Sequence, residues 1–240
     1  MSVPEPVRIA MWSGPRNIST AMMRAWENRP DTVVCDEPFY AFYLRRTGID
    51  HPGRDEVLDL RDPDWRRVVR ELTGPLPDGV SIFYQKQMTH HLLPDIDRSA
   101  LGDLRHAFLI RHPREVLTSY ARVRSGPTLE DLGLPQQVEL HRRFGGPVVD
   151  ARDVLTAPEA VLRALCRQLD VEFSDRMLSW PAGQRDTDGP WGRYWYDSVW
   201  RSTGFAAYRP GDGPLPAHLE PLLKTCRPYY DALHAQRIQA

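Results

Sequence analysis

The chain has 240 residues, of which 41% are hydrophobic and 26% charged, and its formal net charge at pH 7 is −1. These values are typical of one soluble domain covering residues 1–240, and they exclude a general electrostatic attraction to nucleic acid or to an acidic membrane. Apolar runs are shorter than the roughly 18 residues of a membrane span, and no signal-peptide pattern is recognised. Three widely spaced cysteines without a zinc-ligand pattern are expected to be reduced, which predicts a cytoplasmic protein.

The first 39 residues predict a strand, a loop, a helix, a second strand and an acidic turn. An apolar run at residues 7–11 is typical of a buried parallel strand, and the turn residues 13–17 end it. Ser19 or Thr20 is expected to cap the helix that follows. The second strand covers residues 32–35, with Asp36 and Glu37 at its carboxyl end. A polar loop between a strand and a helix is where such a fold binds an anion.

Strands and helices continue to alternate along the rest of the chain. We predict strands at residues 80–84, 106–110 and 147–150, and helical segments at 39–46, 65–72, 90–93, 114–124, 128–144, 158–169 and 219–233. The last helix is expected to be interrupted at Pro221 and Pro228, because proline cannot donate a helical hydrogen bond. Residues 51–62 are expected to form a surface loop or lid, and the segment 194–205 is rich in aromatic residues.

This alternation predicts an α/β fold, namely a single three-layer domain with a parallel β-sheet flanked by helices on both faces. The carboxyl ends of parallel strands lie at one edge of the sheet. Four loops should therefore meet there, at residues 13–20, 36–39, 86–91 and 111–119. We expect this edge to carry the function.

The first of these loops has the sequence Ser-Gly-Pro-Arg-Asn-Ile-Ser-Thr at residues 13–20. It is not a Walker A loop, because the Gly-Lys pair before Ser/Thr is missing. The segment resembles the phosphosulfate-binding loop of sulfotransferases that use 3′-phosphoadenosine 5′-phosphosulfate (PAPS), with Pro15, Arg16, Ser19 and Thr20 in matching positions. Asn17 and Ile18 stand where that family usually has Ser-Gly. The resemblance implies that the donor contacts Gly14, Pro15, Arg16, Asn17, Ile18, Ser19 and Thr20; an ordinary capped helix remains the alternative.

A second segment, residues 106–123, is similar to the part of the same family that binds the 3′-phosphate. Arg111 ends a strand, Pro113 follows two residues later, and Ser119 lies eight residues after the arginine. The resemblance implies that Arg111 and Ser119 hold the 3′-phosphate, with Arg193 or Arg201 as a further contact. A weaker match covers residues 148–173, and together the matches imply the P-loop NTPase-like fold of bacterial sulfotransferases.

The acceptor side needs a base, and three positions are candidates. Glu37 lies in an Asp-Glu-Pro-Phe sequence similar to one that carries the base in some bacterial members of the family, although it could instead pair with Arg16. His90 and His91 are the alternatives. Lys86 is one of only two lysines among 31 basic residues, so it is a candidate for polarising the sulfuryl group, or else a solvated lysine at the end of a strand.

The resemblance implies a PAPS-dependent sulfotransferase that moves a sulfuryl group to a hydroxyl or amine of a small-molecule acceptor. The product of the donor is 3′,5′-adenosine bisphosphate, and this chemistry needs no metal. Two alternatives stay open: a small-molecule kinase with Mg²⁺ at Asp36 or Glu37, and a non-catalytic nucleotide-binding protein. The sequence identifies neither the acceptor nor the oligomeric state, and it predicts neither a nucleic acid nor a membrane as a partner.

Overall fold

A computed structural model describes residues 5–122, 126–210 and 214–240 of the chain. In this described part, five parallel strands form one sheet in the order β2-β3-β1-β4-β5. The strands are β1 (Val7–Ser13), β2 (Thr32–Asp36), β3 (Ile82–Met88), β4 (Arg105–Ile110) and β5 (Val148–Asp150). The order reverses direction on either side of β1, so the carboxyl end of β1 lies at the topological switch point where α/β sheets bind ligands.

Helices connect the strands and cover the sheet. They are α1 (Ser19–Glu27), α2 (Tyr40–Thr47), α3 (Arg54–Leu60), α4 (Trp65–Thr73), α5 (Pro113–Tyr120), α6 (Leu129–Leu132), α7 (Leu134–Phe144), α8 (Ala151–Thr156), α9 (Pro158–Gln168), α10 (Gly192–Trp195), α11 (Asp197–Trp200) and α12 (Glu220–His234). Short 3₁₀ turns lie at Thr89–His91, Arg98–Leu101, Asp175–Leu178 and Ala217–Leu219. No helix in the described ranges has the length and apolarity to cross a bilayer.

The central strand β1 is buried on both faces, as a parallel strand between two helical layers must be. Ile9 and Met11 pack with α1 and α9 on one face, and Ala10 and Trp12 pack with α4, α7 and α12 on the other. This arrangement confirms the predicted three-layer α/β fold with a parallel sheet. A further apolar cluster joins α2 and α3 with Trp191 and Tyr196, the residues on either side of α10.

Strand β3 is longer than the predicted strand at 80–84, because it continues through Gln85, Lys86 and Gln87 to Met88. All three of these polar side chains are buried. Gln85 donates to the carbonyl of Leu72 at 3.0 Å, and carboxylates neutralise Lys86. The hydrophobic pattern could not predict this second half of β3, because the partners of its buried polar residues lie in other parts of the chain.

Other expectations from the sequence were wrong. Helix α3 lies inside the segment predicted as a loop, where only Val57 is buried. Helix α12 runs through Pro228 without ending, since the burial of neighbours such as Cys226 and Tyr230 offsets the lost hydrogen bond. Ile18, rather than Ser19 or Thr20, occupies the cap position of α1. The end of the predicted helix 114–124 lies outside the described residues from 123 onward, and α5 ends at Tyr120.

Candidate active site

The loop between β1 and α1 has a backbone shape suited to an anion. Arg16 adopts a positive φ of 54°, whereas Ile18 has a φ of −84° and no positive φ occurs at Asn17. The left-handed residue of the loop is therefore Arg16, and the usual glycine is not required one or two positions later. The side chain of Asn17 is an anchor: its Nδ2 donates to the carbonyl of Leu109 at 3.0 Å, and its Oδ1 accepts from the Ile18 amide at 2.9 Å.

The loop at 13–20 and the segment at 111–119 meet, as the sequence predicted for neighbouring strand ends. Arg16 Nε donates to Ser119 Oγ at 3.0 Å, and Arg111 Nη1 donates to the carbonyl of Arg16 at 3.1 Å. The pKa of Arg16 is lowered, first because of burial and then because of the positive charge of Arg111. An anion between these groups would relieve that repulsion, so the electrostatics favour a phosphate or sulfate at this position.

A buried ion cluster occupies the ends of β2 and β3. Lys86 lies opposite Asp36 in the parallel register, and its side chain is 1% exposed. Its Nζ donates to Asp36 Oδ1 at 2.8 Å and to Glu37 Oε1 at 2.6 Å, and it also contacts the Tyr196 hydroxyl. Because all three N–H groups are engaged inside the protein, the solvated strand-end lysine considered from the sequence is excluded.

Glu37 is held in a strained conformation beside this cluster. Its φ is 42°, which is uncommon for a residue with a side chain, and its amide donates to the carbonyl of Lys86 at 2.9 Å. Burial raises the pKa of Glu37, and the charge of Asp36 raises it further, whereas Lys86 opposes the shift. A carboxylate with a raised pKa removes a proton more readily near neutral pH.

The two candidate histidines lie directly after β3. His91 is 2% exposed and stacks on Tyr40 and Tyr43, with ring centroids 4.7 and 4.8 Å apart. Its Nε2 lies 4.0 Å from Glu37 Oε2. His90 contacts His91 edge to face at 4.3 Å. Glu37, Lys86 and His91 are thus neighbours, and His90 contacts His91.

The segment 188–196, which includes α10, closes the buried cluster from the side, and sequence reasoning missed its role. Tyr196 donates to Asp36 Oδ2 at 2.8 Å and accepts from Trp191 Nε1 at 2.9 Å. The amide of Gly189 also donates to Asp36 Oδ2, at 3.1 Å. The nearby Asp188 forms an ion pair with the buried Arg24 of α1. The aromatic density of this segment was visible in the sequence, but its partners Lys86, Asp36 and Arg24 lie 110 to 164 residues earlier.

The remaining residues predicted to contact the donor lie in α1, in the loop before it and in α10. Ser19 and Thr20 are buried in the first turn of α1. Gly14 approaches the chain so closely that a side chain there would lie 2.7 Å from the carbonyl of Leu132. Arg193 is 54% exposed on α10 and pairs with Glu56 of α3. Within the described residues, no group of three or more His, Cys, Asp or Glu side chains is arranged to hold a metal ion.

Two curated plant proteins are similar in sequence to nearly the whole of this chain. The chain is 33% identical over 230 residues to branched-chain-amino-acid aminotransferase-like protein 2 of Arabidopsis thaliana, and 35% identical over 237 residues to protein 1 of the same name. These matches cover 94% and 96% of this chain but only 41% and 42% of the relatives, so the chain spans about two fifths of their length.

Solved structures agree on the fold. A sulfotransferase of Alicyclobacillus acidocaldarius matches with a TM-score of 0.55 at 13% identity, covering 99% of this chain and 98% of that one. The sulfotransferase domain of the Synechococcus PCC 7002 olefin synthase matches with a TM-score of 0.51 at 19% identity, covering 94% and 95%. A family model described as a sulfotransferase domain matches residues 7–237. The chain therefore belongs to the sulfotransferase domain family.

Proposed function

We propose that this chain transfers a sulfuryl group from PAPS to a small-molecule acceptor, with Glu37 as the base. The observation that carries the proposal is the hydrogen bond from Arg16 to Ser119, because it joins the two loops that matched the donor-binding segments of the family. PAPS carries a phosphosulfate at one end of its ribose and a phosphate at the other. Two adjoining anion sites at one sheet edge are what such a donor requires.

The residues present fit this donor. Arg16, with Ser19 and Thr20 in the first turn of α1, would hold the phosphosulfate, and Arg111 with Ser119 would hold the 3′-phosphate. The first N–H groups of α1 have no partner within the helix and add hydrogen bonds to the same anion. The Ile18 amide is excluded from that role, because Asn17 Oδ1 already accepts from it.

Glu37 would take the proton of the acceptor when the donor supplies its sulfuryl group. Lys86 acts on Glu37 rather than on the donor, since its three N–H groups are directed at Asp36, Glu37 and Tyr196. It holds one oxygen of Glu37 and leaves the other, Oε2, without a hydrogen bond from any described residue. Lys86 is therefore a positioning residue in this proposal.

Binding of 3′,5′-adenosine bisphosphate, measured by calorimetry, tests the donor site. Arg111→Ala should weaken binding at least tenfold, since a hydrogen bond to a charged group contributes about 1.5–3 kcal/mol. Arg114→Ala is the matched control, because Arg114 pairs with Glu220 on the exposed face. Equal affinities for the wild type and the Arg111 variant would refute the assignment of the 3′-phosphate site.

The kinase alternative finds less support in the geometry. Both oxygens of Asp36 accept hydrogen bonds within the protein, from Lys86, Tyr196 and Gly189. Glu37 Oε1 accepts from Lys86, so only Glu37 Oε2 remains of the four carboxylate oxygens that could bind Mg²⁺. Tight binding of ATP with Mg²⁺, together with indifference to adenosine bisphosphate, would reverse this judgement. The aminotransferase-like name of the plant relatives is not carried over, because Lys86 is buried in ion pairs and Lys224 is exposed on α12.

A further inference from the structure

The separation of Glu37 and His91 would allow one oxygen atom to bridge their side chains. Glu37 Oε2 and His91 Nε2 are 4.0 Å apart, which is too long for a direct hydrogen bond. A single oxygen placed off the line between them could lie about 2.8 Å from both, which is a normal hydrogen-bond distance. The angle between the two contacts would then be roughly 90°, which a hydroxyl group accommodates.

Glu37 presents the accepting side of this site. Its Oε1 accepts from Lys86 at 2.6 Å and lies 3.4 Å from the Tyr196 hydroxyl. Among the described residues, none donates a hydrogen bond to Oε2. The oxygen that faces His91 is therefore the one available to receive a proton.

His91 presents the donating side. The imidazole is neutral, because burial and then the nearby His90, His51 and Lys86 lower its pKa well below the usual value. A neutral imidazole has one N–H group. At Nδ1 that group would be buried without a hydrogen-bond partner among the described residues, whereas at Nε2 it faces the Glu37 carboxylate. The negative charge of Glu37 attracts an N–H at Nε2 and would repel a lone pair there, so the proton lies on Nε2.

We propose, building on the sulfotransferase function proposed above, that His91 binds the acceptor and selects hydroxyl groups over amines. A hydroxyl oxygen has two lone pairs and one proton. One lone pair accepts from His91 Nε2–H, the other forms the new O–S bond, and the proton moves to Glu37 Oε2. The S–O bond to the 5′-phosphate breaks, and its electron pair leaves with adenosine bisphosphate.

A neutral amine cannot satisfy the same arrangement. Its nitrogen has a single lone pair, which must form the bond to sulfur. It therefore cannot also accept a hydrogen bond from His91 Nε2–H, and the imidazole N–H is left without a partner when an amine attacks. Binding sites reject analogues strongly when a buried polar group is left unpaired in this way.

Paired acceptors with the same carbon skeleton test this selectivity with labelled PAPS. The pairs are benzyl alcohol with benzylamine and phenol with aniline, the latter amine being uncharged at neutral pH. The wild type should favour the hydroxyl member, and His91→Phe, which keeps the ring stacking, should lower the hydroxyl-to-amine ratio of kcat/KM at least tenfold. His91→Gln, which restores an N–H donor, should recover part of the ratio. An unchanged ratio in His91→Phe, or a wild type that prefers amines, would overturn the proposal.

The tautomer of His91 provides a measurement that does not depend on activity or on the folding of a variant. In the ¹⁵N NMR spectrum of the wild type, His91 should be neutral and protonated at Nε2. An Nδ1–H tautomer would overturn the proposal even if His91 variants do not fold. If adenosine bisphosphate binds and hydroxyls react but amines react equally well, only this inference fails. If the protein turns over no acceptor and does not bind the bisphosphate, the proposed function and this inference both fail.

Discussion

The two halves of the site differ in how their charges are balanced. Around Arg16 and Arg111, two guanidinium groups adjoin, and the pKa of Arg16 falls through burial and through that neighbour. At the ends of β2 and β3, two carboxylates share Lys86, and the pKa of Glu37 rises. A local excess of positive charge suits an anion, and a carboxylate with a raised pKa suits proton removal. Substitutions in the first half should change donor affinity, and those in the second should change turnover or stability.

The largest expected effect is on turnover in Glu37→Gln. Glutamine keeps the shape of the side chain but cannot accept the acceptor's proton, and general-base catalysis typically contributes 10²- to 10⁴-fold. We expect kcat with PAPS and an alcohol to fall by about 10²-fold or more. Adenosine bisphosphate affinity should stay within about twofold, because Glu37 does not touch the donor loops. Glu71→Gln, on the exposed side of α4, is the control. A variant with full turnover would remove Glu37 from the mechanism.

Lys86→Met should produce the largest loss of stability. It removes the cation from between two buried carboxylates, and breaking a buried ion pair from one side costs about 3–5 kcal/mol. Chemical denaturation should show a free energy of unfolding reduced by that amount. Lys224→Met is the matched control, since the exposed Lys224 should change stability by less than about 0.5 kcal/mol. A free energy of unfolding equal to that of the wild type would mean that the ion pairs of Lys86 do not stabilise the fold.

The pH dependence of kcat/KM should report the raised pKa of Glu37. A base acts only when deprotonated, so activity should rise with pH through that pKa and fall as Glu37 is protonated. The acidic limb should lie above the usual value of about 4.3 for glutamate. His91→Phe should keep this limb wherever it retains measurable activity, because the titrating group is Glu37. A limb that disappears in His91→Phe would identify the histidine as the base instead.

The contact between the loops at residues 13–20 and 111–119, which form the donor half of the proposed site, was predictable because its determinants are local. Arg16 lies in the five-residue turn between the end of β1 and the start of α1. Arg111 and Ser119 lie at the end of one strand and in the helix that follows it. Arg16, rather than Asn17 or Ile18, is the residue of this loop that adopts a positive φ.

The acceptor half was only partly predictable because its determinants are distant in sequence. Glu37 and Lys86 could be chosen as candidates, the second because lysine is rare in this arginine-rich chain. Nothing in the local pattern showed that Lys86 is buried within β3 or that Tyr196, 110 residues later, contacts it. Burial of a charge depends on partners that only the fold brings together.

The smallest expected effect concerns Glu115, whose charge we expect to oppose anion binding at Arg111. Its Oε2 accepts from Arg111 Nε at 2.9 Å, and its Oε1 accepts from the Tyr208 hydroxyl at 2.7 Å. A phosphate at Arg111 must compete with this carboxylate and approach its negative charge. Glu115→Gln removes the charge and keeps the shape, so adenosine bisphosphate should bind about two- to fivefold more tightly, consistent with the 0.2–1 kcal/mol of a partly exposed ion pair.

Calorimetry in low salt measures this change, and Glu220→Gln is the control because it removes the partner of Arg114 on the exposed face. Higher salt should reduce the difference between Glu115→Gln and the wild type, since partly exposed charges are screened. Weaker binding by Glu115→Gln would show the opposite role: the carboxylate would then orient Arg111 for the phosphate. Glu115 contacts Arg111 and neither Glu37 nor Lys86. Either change in bisphosphate affinity would therefore concern the proposed donor contacts and not the proposed base.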